Sequence, residues 1–158
     1  MSGKGWTIEK ALQTGVTMEK GAYNLYSNAF KMVKSPGSKQ MLKELAQDEL
    51  KHMEYFEKAL KEPSKVVANS QTALKKTIKD LGVTDPLKEP ELSPDATYQE
   101  VLLYAIKSEK NANTFYLSLA KEFSGNAIAK VWESFAQQEA GHKQKLEKEY
   151  DDIILADN

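Results

Sequence analysis

The sequence repeats itself at a shift of 90 residues, and this repeat restricts the fold more than any other feature of the chain. Many of the matched positions are apolar in both copies, as they would be in any two amphipathic helical hairpins. The aligned polar pairs are more specific, and they are Glu19 with Glu109, Glu49 with Glu139, and His52 with His142. In each copy the second glutamate follows the first by 30 residues. Two copies of one helical unit are therefore indicated.

Four long segments carry apolar residues at the three- and four-residue spacing of helices, and no stretch shows sustained strand-like alternation. The segments run from about Thr7 to Lys34, from Ser35 to Leu60, from Asp95 or Thr97 to Phe123, and after Gly125 to Tyr150. We therefore predict an all-α fold, in one domain spanning 1–158. The expected architecture is a four-helix bundle of two repeated helical hairpins, about 7–60 and 95–150.

The connection between the hairpins, about 61–94, differs in composition from the helices. It contains four of the five prolines and one short helical stretch, Gln71–Leu81. A connection of this length is not a tight turn. It either crosses along the bundle or lets hairpins exchange between two chains, and the sequence leaves both arrangements open.

Glutamates interrupt the apolar stripe of every predicted helix. Glu19 lies between Val16 and Tyr23, and Glu49 lies four residues from both Leu45 and Met53. Glu109 lies between Ile106 and Tyr116, Glu139 follows Phe135 by four residues, and each histidine lies one helical turn beyond a glutamate. The pattern therefore directs four carboxylates and two imidazoles towards the bundle axis.

Burying four carboxylates together is unfavourable, because each loses hydration and all repel one another. Two divalent cations would balance the four negative charges and use both imidazoles as ligands. A Glu from each of two helices with Glu-x-x-His from each of the other two is the di-metal carboxylate pattern. The predicted ligands are Glu19, Glu49, His52, Glu109, Glu139 and His142. Iron and manganese suit these ligands and zinc is tolerated, so ligand type leaves the metal open.

The alternative is a bundle without a metal site, because a single Glu-x-x-His on a helix is weak evidence. This chain has only two histidines, however, and both follow a glutamate by three residues. From the fraction of acidic residues, chance places an acid at both positions with a probability of about 0.02. The metal site is therefore the stronger interpretation.

Composition excludes several other classes. The chain has no cysteine, which rules out disulfides, thiolate zinc sites, iron–sulfur clusters and rubredoxin-type iron centres. A net charge of −1 gives no sign of a nucleic-acid or membrane-surface partner. No apolar run approaches the roughly 20 residues of a membrane span, and the start lacks the apolar region of a signal peptide. We therefore expect a cytoplasmic protein.

The residues resemble the ferritin-like di-iron proteins of the rubrerythrin family. The similarity rests on MEKGAYNLY with DELKH in the first copy and SEKNANTFY with QEAGH in the second. It implies two iron ions, with Glu49 and Glu139 bridging them and Glu19 and Glu109 as terminal ligands. It also implies that Tyr26 and Tyr116 support the carboxylates, although tyrosines on an apolar stripe more often serve packing. A homodimer, with or without exchanged hairpins, is the expected assembly.

The sequence departs from that family in two ways. Full-length rubrerythrins carry a cysteine-ligated rubredoxin domain, so this chain would need a separate electron-donor protein for turnover. They also carry an additional glutamate one turn after the third-helix ligand, where this chain has Ala112, matched by Ala22 in the first copy. A stand-alone member with four carboxylates and two histidines is therefore expected.

Three functions follow from these residues. The leading expectation is a di-iron oxidoreductase that reduces hydrogen peroxide or dioxygen as Fe(II) is oxidised, as in defence against oxidative stress. A second is a non-catalytic protein that handles iron or holds zinc structurally. A third is a helical interaction module whose polar core has another purpose.

Overall fold

The computed structural model describes residues 7–62, 92–125 and 127–157, which form four α-helices. Helix α1 spans Ile8–Phe30, α2 spans Pro36–Lys61, α3 spans Tyr98–Glu122 and α4 spans Ala127–Asp157. Helices α1 and α2 pack along each other as one hairpin, and α3 and α4 form the second. The hairpins meet through contacts of α1 with α3 and of α2 with α4. The predicted all-α bundle of two hairpins is confirmed.

Side-chain caps begin three of the helices. Thr7 accepts a hydrogen bond from the Lys10 backbone N–H at the start of α1, and Ser35 accepts one from Ser38 at the start of α2. At the start of α3, Thr97 and Glu100 form a reciprocal capping box. These bonds satisfy backbone donors that have no partner within the helix.

Two helix ends differ from the sequence prediction. Helix α1 ends at Phe30 rather than near Lys34, because Pro36 keeps Ser35 extended and the chain must leave the helix before it. Helix α4 continues past Tyr150 to Asp157, and Ile153 on this extension packs against the apolar core. The predicted short helix Gln71–Leu81 lies outside the described residues.

The apolar core is divided into two clusters. One contains Leu12, Phe56, Phe115 and Trp132, and the other contains residues of the opposite ends of the same helices, Tyr26, Leu42, Leu102 and Leu146. Along every helix the predicted ligand positions fall between residues of the two clusters. The core therefore consists of two apolar layers with one polar layer between them. No helix in the described ranges is long and apolar enough to cross a membrane.

Gly15 on α1 permits close packing against α2. A Cβ atom placed on Gly15 would lie 2.9 Å from two ring carbons of Phe56, whose side chain is 1% exposed. Gly21, further along α1, has no atom within 4 Å of the corresponding position. The two glycines therefore differ in packing while sharing one helix.

We expect Gly15→Ala to lower the free energy of unfolding by about 1–3 kcal/mol, because the buried Phe56 ring must move. Gly21→Ala is the matched control and should raise the free energy of unfolding by up to about 1 kcal/mol, since Ala favours helices over Gly. Urea unfolding followed by circular dichroism measures both effects. Equal stabilities for the two variants would contradict this account of α1–α2 packing.

Candidate metal centre

One layer of polar side chains crosses the bundle between the two apolar clusters. Its members come from all four helices and are at most 3% exposed: Glu19, Glu49, His52, Glu109, Glu139 and His142. In α2 and α4 the glutamate and histidine lie three residues apart, which places them on one helix face. The structure thus brings together all six side chains that the sequence predicts as metal ligands.

The six residues form two overlapping groups. Glu19, Glu49, His52 and Glu139 each offer one ligand atom, and these atoms lie within 4.8 Å of one another. Glu49, Glu109, Glu139 and His142 form a second group with the same property. Glu49 and Glu139 belong to both groups. This arrangement has the form of two adjacent sites that share two carboxylates.

Both histidines turn Nδ1 towards the carboxylates. The Nδ1 atom of His52 contacts Glu19 Oε2 at 2.5 Å and lies 3.4 Å from Glu49 Oε1. The Nδ1 atom of His142 lies 3.2 Å from Glu139 Oε1 and 3.3 Å from Glu109 Oε2. The imidazoles are therefore placed to act as nitrogen ligands in the same cluster.

Several polar atoms of this layer make no hydrogen bond within the part of the chain that the structure describes. They are Glu19 Oε1, both carboxylate oxygens of Glu49 and of Glu139, and His142 Nδ1. Buried polar atoms without partners are rare in native proteins, and each one costs free energy. Their concentration in one layer indicates that they serve a ligand.

Burial raises the pKa of the Glu49 and Glu139 carboxyl groups well above their usual range, and neighbouring carboxylates raise it further. Burial also raises the pKa of Glu19, although contact with His52 opposes the shift. For the imidazoles burial lowers the pKa, but nearby carboxylates outweigh it and raise the pKa of His52 to about 10 and of His142 to about 9. Protonated imidazoles thus offset part of the carboxylate charge, and a bound metal ion would displace these protons.

The two tyrosines at matched positions differ in their contacts. The Tyr26 hydroxyl donates a hydrogen bond to Glu109 Oε2 at 2.5 Å, as expected for a side chain that supports a carboxylate. The Tyr116 hydroxyl is buried and makes no hydrogen bond to any described residue. The Tyr116 ring instead packs among Phe56, Phe115 and Phe135, so apolar packing is its observed role.

A cavity of about 700 Å³ between α1 and α3 reaches the polar layer. Its lining includes the glutamates Glu19, Glu49, Glu109 and Glu139. Small residues, Gly21, Ala22 and Ala112, also line it, so little side-chain volume stands between the cavity and the carboxylates. A small molecule could approach the carboxylates from this side.

The cluster fits a pair of divalent cations. Four carboxylates supply the matching negative charge, two imidazoles supply nitrogen ligands, and the unpartnered oxygens are the atoms that a cation would bind. The bundle and its cluster therefore fit the class of di-metal carboxylate helical proteins.

The sequence matches the rubrerythrin family model over residues 10–87 and 100–158. The match covers most of the chain, and the protein belongs to the rubrerythrin family. Searches of curated proteins and of solved structures returned no significant match.

Sequence reasoning missed two contacts of the histidines. His142 Nε2 lies 3.0 Å from Asp48 Oδ2, and His52 Nε2 lies 2.9 Å from Gln138 Oε1. Asp48 and Gln138 align in the repeat and each precedes a predicted ligand glutamate, which is the signal that could have drawn attention to them.

Replacing Glu49 by Gln removes one buried negative charge and keeps the side-chain shape. Because the pKa of Glu49 is raised in the folded protein, its ionisation opposes folding, and this cost grows as pH rises above the unfolded value of 4.5. We expect metal-free Glu49→Gln to be more stable than wild type by about 1–3 kcal/mol at pH 8, and by less at pH 5. Urea unfolding in the presence of a chelator measures this.

The same variant should lose the stabilisation that added divalent metal gives to the wild type. Glu57→Gln, on the exposed face of α2, is the control and should change neither quantity. A metal-free Glu49→Gln protein that is less stable than wild type at pH 8 would contradict the assigned electrostatic cost.

Proposed function

We propose that this protein binds two iron ions in the polar layer and acts as an oxidoreductase that reduces hydrogen peroxide or dioxygen. One observation carries the proposal: two four-residue ligand groups overlap at Glu49 and Glu139. Two sites that share carboxylates hold their metal ions close together, as a two-electron reaction requires. Family membership supports the same class of chemistry.

The six side chains have distinct roles in this proposal. Glu49 and Glu139 belong to both groups and would bridge the metal ions, whereas Glu19 and Glu109 would each bind one ion. His52 and His142 would each contribute Nδ1 to one ion. Carboxylate and imidazole ligands leave manganese and zinc as alternatives to iron.

When bound, two iron(II) ions would supply the two electrons that convert one hydrogen peroxide molecule, with two protons, into two water molecules. Tyr26 would hold the Glu109 carboxylate in position through its hydroxyl hydrogen bond. The apolar clusters cover the layer on both sides along the bundle axis. The cavity between α1 and α3 would admit the oxidant, since its volume far exceeds that of peroxide or dioxygen.

Repeated turnover needs a source of electrons. The chain contains no cysteine and so has no rubredoxin-type centre of its own. A separate electron-donor protein would therefore return the iron to its reduced state.

An anaerobic titration of metal-free protein with Fe(II), followed by addition of peroxide or dioxygen, tests the proposal. We expect saturation at two iron ions per chain and then rapid growth of ferric absorption in the near ultraviolet. The oxidant that reacts faster identifies peroxidase-like or oxidase-like chemistry. Tight binding of two metal ions without consumption of either oxidant would instead favour a non-catalytic metal-binding protein.

The double variant Glu49→Ala and Glu139→Ala tests whether the polar core binds metal or serves another purpose. It removes both shared carboxylates and should abolish binding at two ions per chain. The control, Glu57→Ala, changes an exposed glutamate of α2 and should bind as the wild type does. Unchanged metal content in the double variant would defeat the proposal and favour a helical interaction module.

A further inference from the structure

Each buried imidazole also makes a contact on the side away from the carboxylates, with a residue of the other hairpin. His142 Nε2 lies 3.0 Å from Asp48 Oδ2, and His52 Nε2 lies 2.9 Å from Gln138 Oε1. The repeat aligns Asp48 with Gln138. The same contact is therefore made twice, once with an acid and once with a neutral amide.

These partners determine which ring nitrogen carries a proton. A carboxylate oxygen can only accept, so His142 donates its Nε2–H to Asp48. The Gln138 amide nitrogen donates to Ser134 Oγ at 3.3 Å, which leaves Oε1 to accept from His52. In their neutral forms both imidazoles therefore present the Nδ1 lone pair to the carboxylate cluster.

The two imidazoles differ as ligands because their partners differ in charge. An imidazole whose Nε2–H donates to a carboxylate is a stronger donor to a cation at Nδ1 than one whose Nε2–H donates to a neutral amide. The Asp48 side chain is 38% exposed, so water screens part of its charge, but the contact with His142 is direct. The partner on the Nε2 side therefore makes His142 the stronger nitrogen ligand, whereas the higher pKa of His52 arises on its Nδ1 side, from Glu19 and Glu49.

The two imidazoles also differ in the contacts of Nδ1, and this difference again favours cation binding at His142. His142 Nδ1 lies 3.2 Å from Glu139 Oε1 and 3.3 Å from Glu109 Oε2, so the contacts that a cation must displace there are long. His52 Nδ1 is paired more closely, with Glu19 Oε2 at 2.5 Å. The His52 ring also stacks on Phe135, with ring centroids 4.1 Å apart. In the other copy of the repeat the aligned residue is Leu45, which has no ring, so this stacking has no equivalent there. A cation at His52 must therefore separate a closer pair than a cation at His142.

We propose that the two metal positions are inequivalent, and that Asp48 is the positioning residue that makes the His142 position fill first. The first divalent cation binds His142 with Glu49, Glu109 and Glu139. The second cation binds at His52, whose Nε2 contacts Gln138. This inference rests on the metal site of the proposed function and adds an order of loading to it.

Titration of metal-free protein with Co(II), followed by visible absorption, tests the order. We expect two resolved steps in the wild type. Asp48→Asn keeps the shape and a hydrogen-bond acceptor but removes the charge, and it should weaken the first step by about 10- to 100-fold. Glu57→Gln removes a negative charge from the exposed face of the same helix and is the matched control. It should leave both steps unchanged.

Proton NMR of the protein with one equivalent of Co(II) identifies the filled position. Coordination through Nδ1 leaves the imidazole Nε2–H as a shifted resonance that disappears in D₂O. Asp48→Asn should move this resonance, and Gln138→Glu should leave it in place. The exchanged variant, Asp48→Asn with Gln138→Glu, should fill the His52 position first.

Two identical binding steps in the wild type, or an unchanged first step in Asp48→Asn, would overturn the inference while leaving the metal site intact. Absence of any saturable Co(II) binding would overturn both the inference and the proposed function. Circular dichroism of each metal-free variant verifies that a lost step does not reflect a lost fold.

Discussion

The mutual repulsion of four carboxylates within one buried layer is the constraint on which the rest of this structure depends. Each carboxylate loses its hydration, and each lies within the field of the others. Apolar packing on both sides of the layer supplies the stability that permits it. The two imidazoles compensate part of the charge, and several carboxylate oxygens have no hydrogen-bond partner among the residues that the structure describes. A polar layer of this kind is costly to keep unless it binds cations.

The repeat places equivalent side chains on opposite sides of the layer, but its two copies are not identical. His142 contacts the acidic Asp48, whereas His52 contacts the neutral Gln138. Tyr26 donates a hydrogen bond to a carboxylate, whereas Tyr116 packs against aromatic rings. The ligand set is therefore nearly symmetric while its surroundings are not. In metal proteins these surroundings tune affinity and reactivity, so the asymmetry distinguishes two positions that the ligands alone would make alike.

Local sequence patterns are sufficient to predict the four helices and the convergence of the six polar residues on the bundle axis. Helical spacing puts Glu49 and His52 on the apolar face, and that face must point inward in a bundle. The apolar spacing predicts an end of α1 that is too late, because apolar residues continue to Val33, which packs on the core without being helical. The contact of Asp48 with His142 joins different hairpins, so it depends on their relative placement, which no local pattern contains. The same holds for the Tyr116 hydroxyl, which makes no hydrogen bond to a described residue.

Family membership and the geometry of the layer agree on a di-metal carboxylate protein. Anomalous diffraction from crystals loaded with Fe(II) without oxygen, recorded on both sides of the iron absorption edge, tests the central claim most directly. The account predicts two anomalous peaks per chain inside the polar layer, one beside His52 and one beside His142. Iron located elsewhere on the protein, or no peak within the layer, would contradict it.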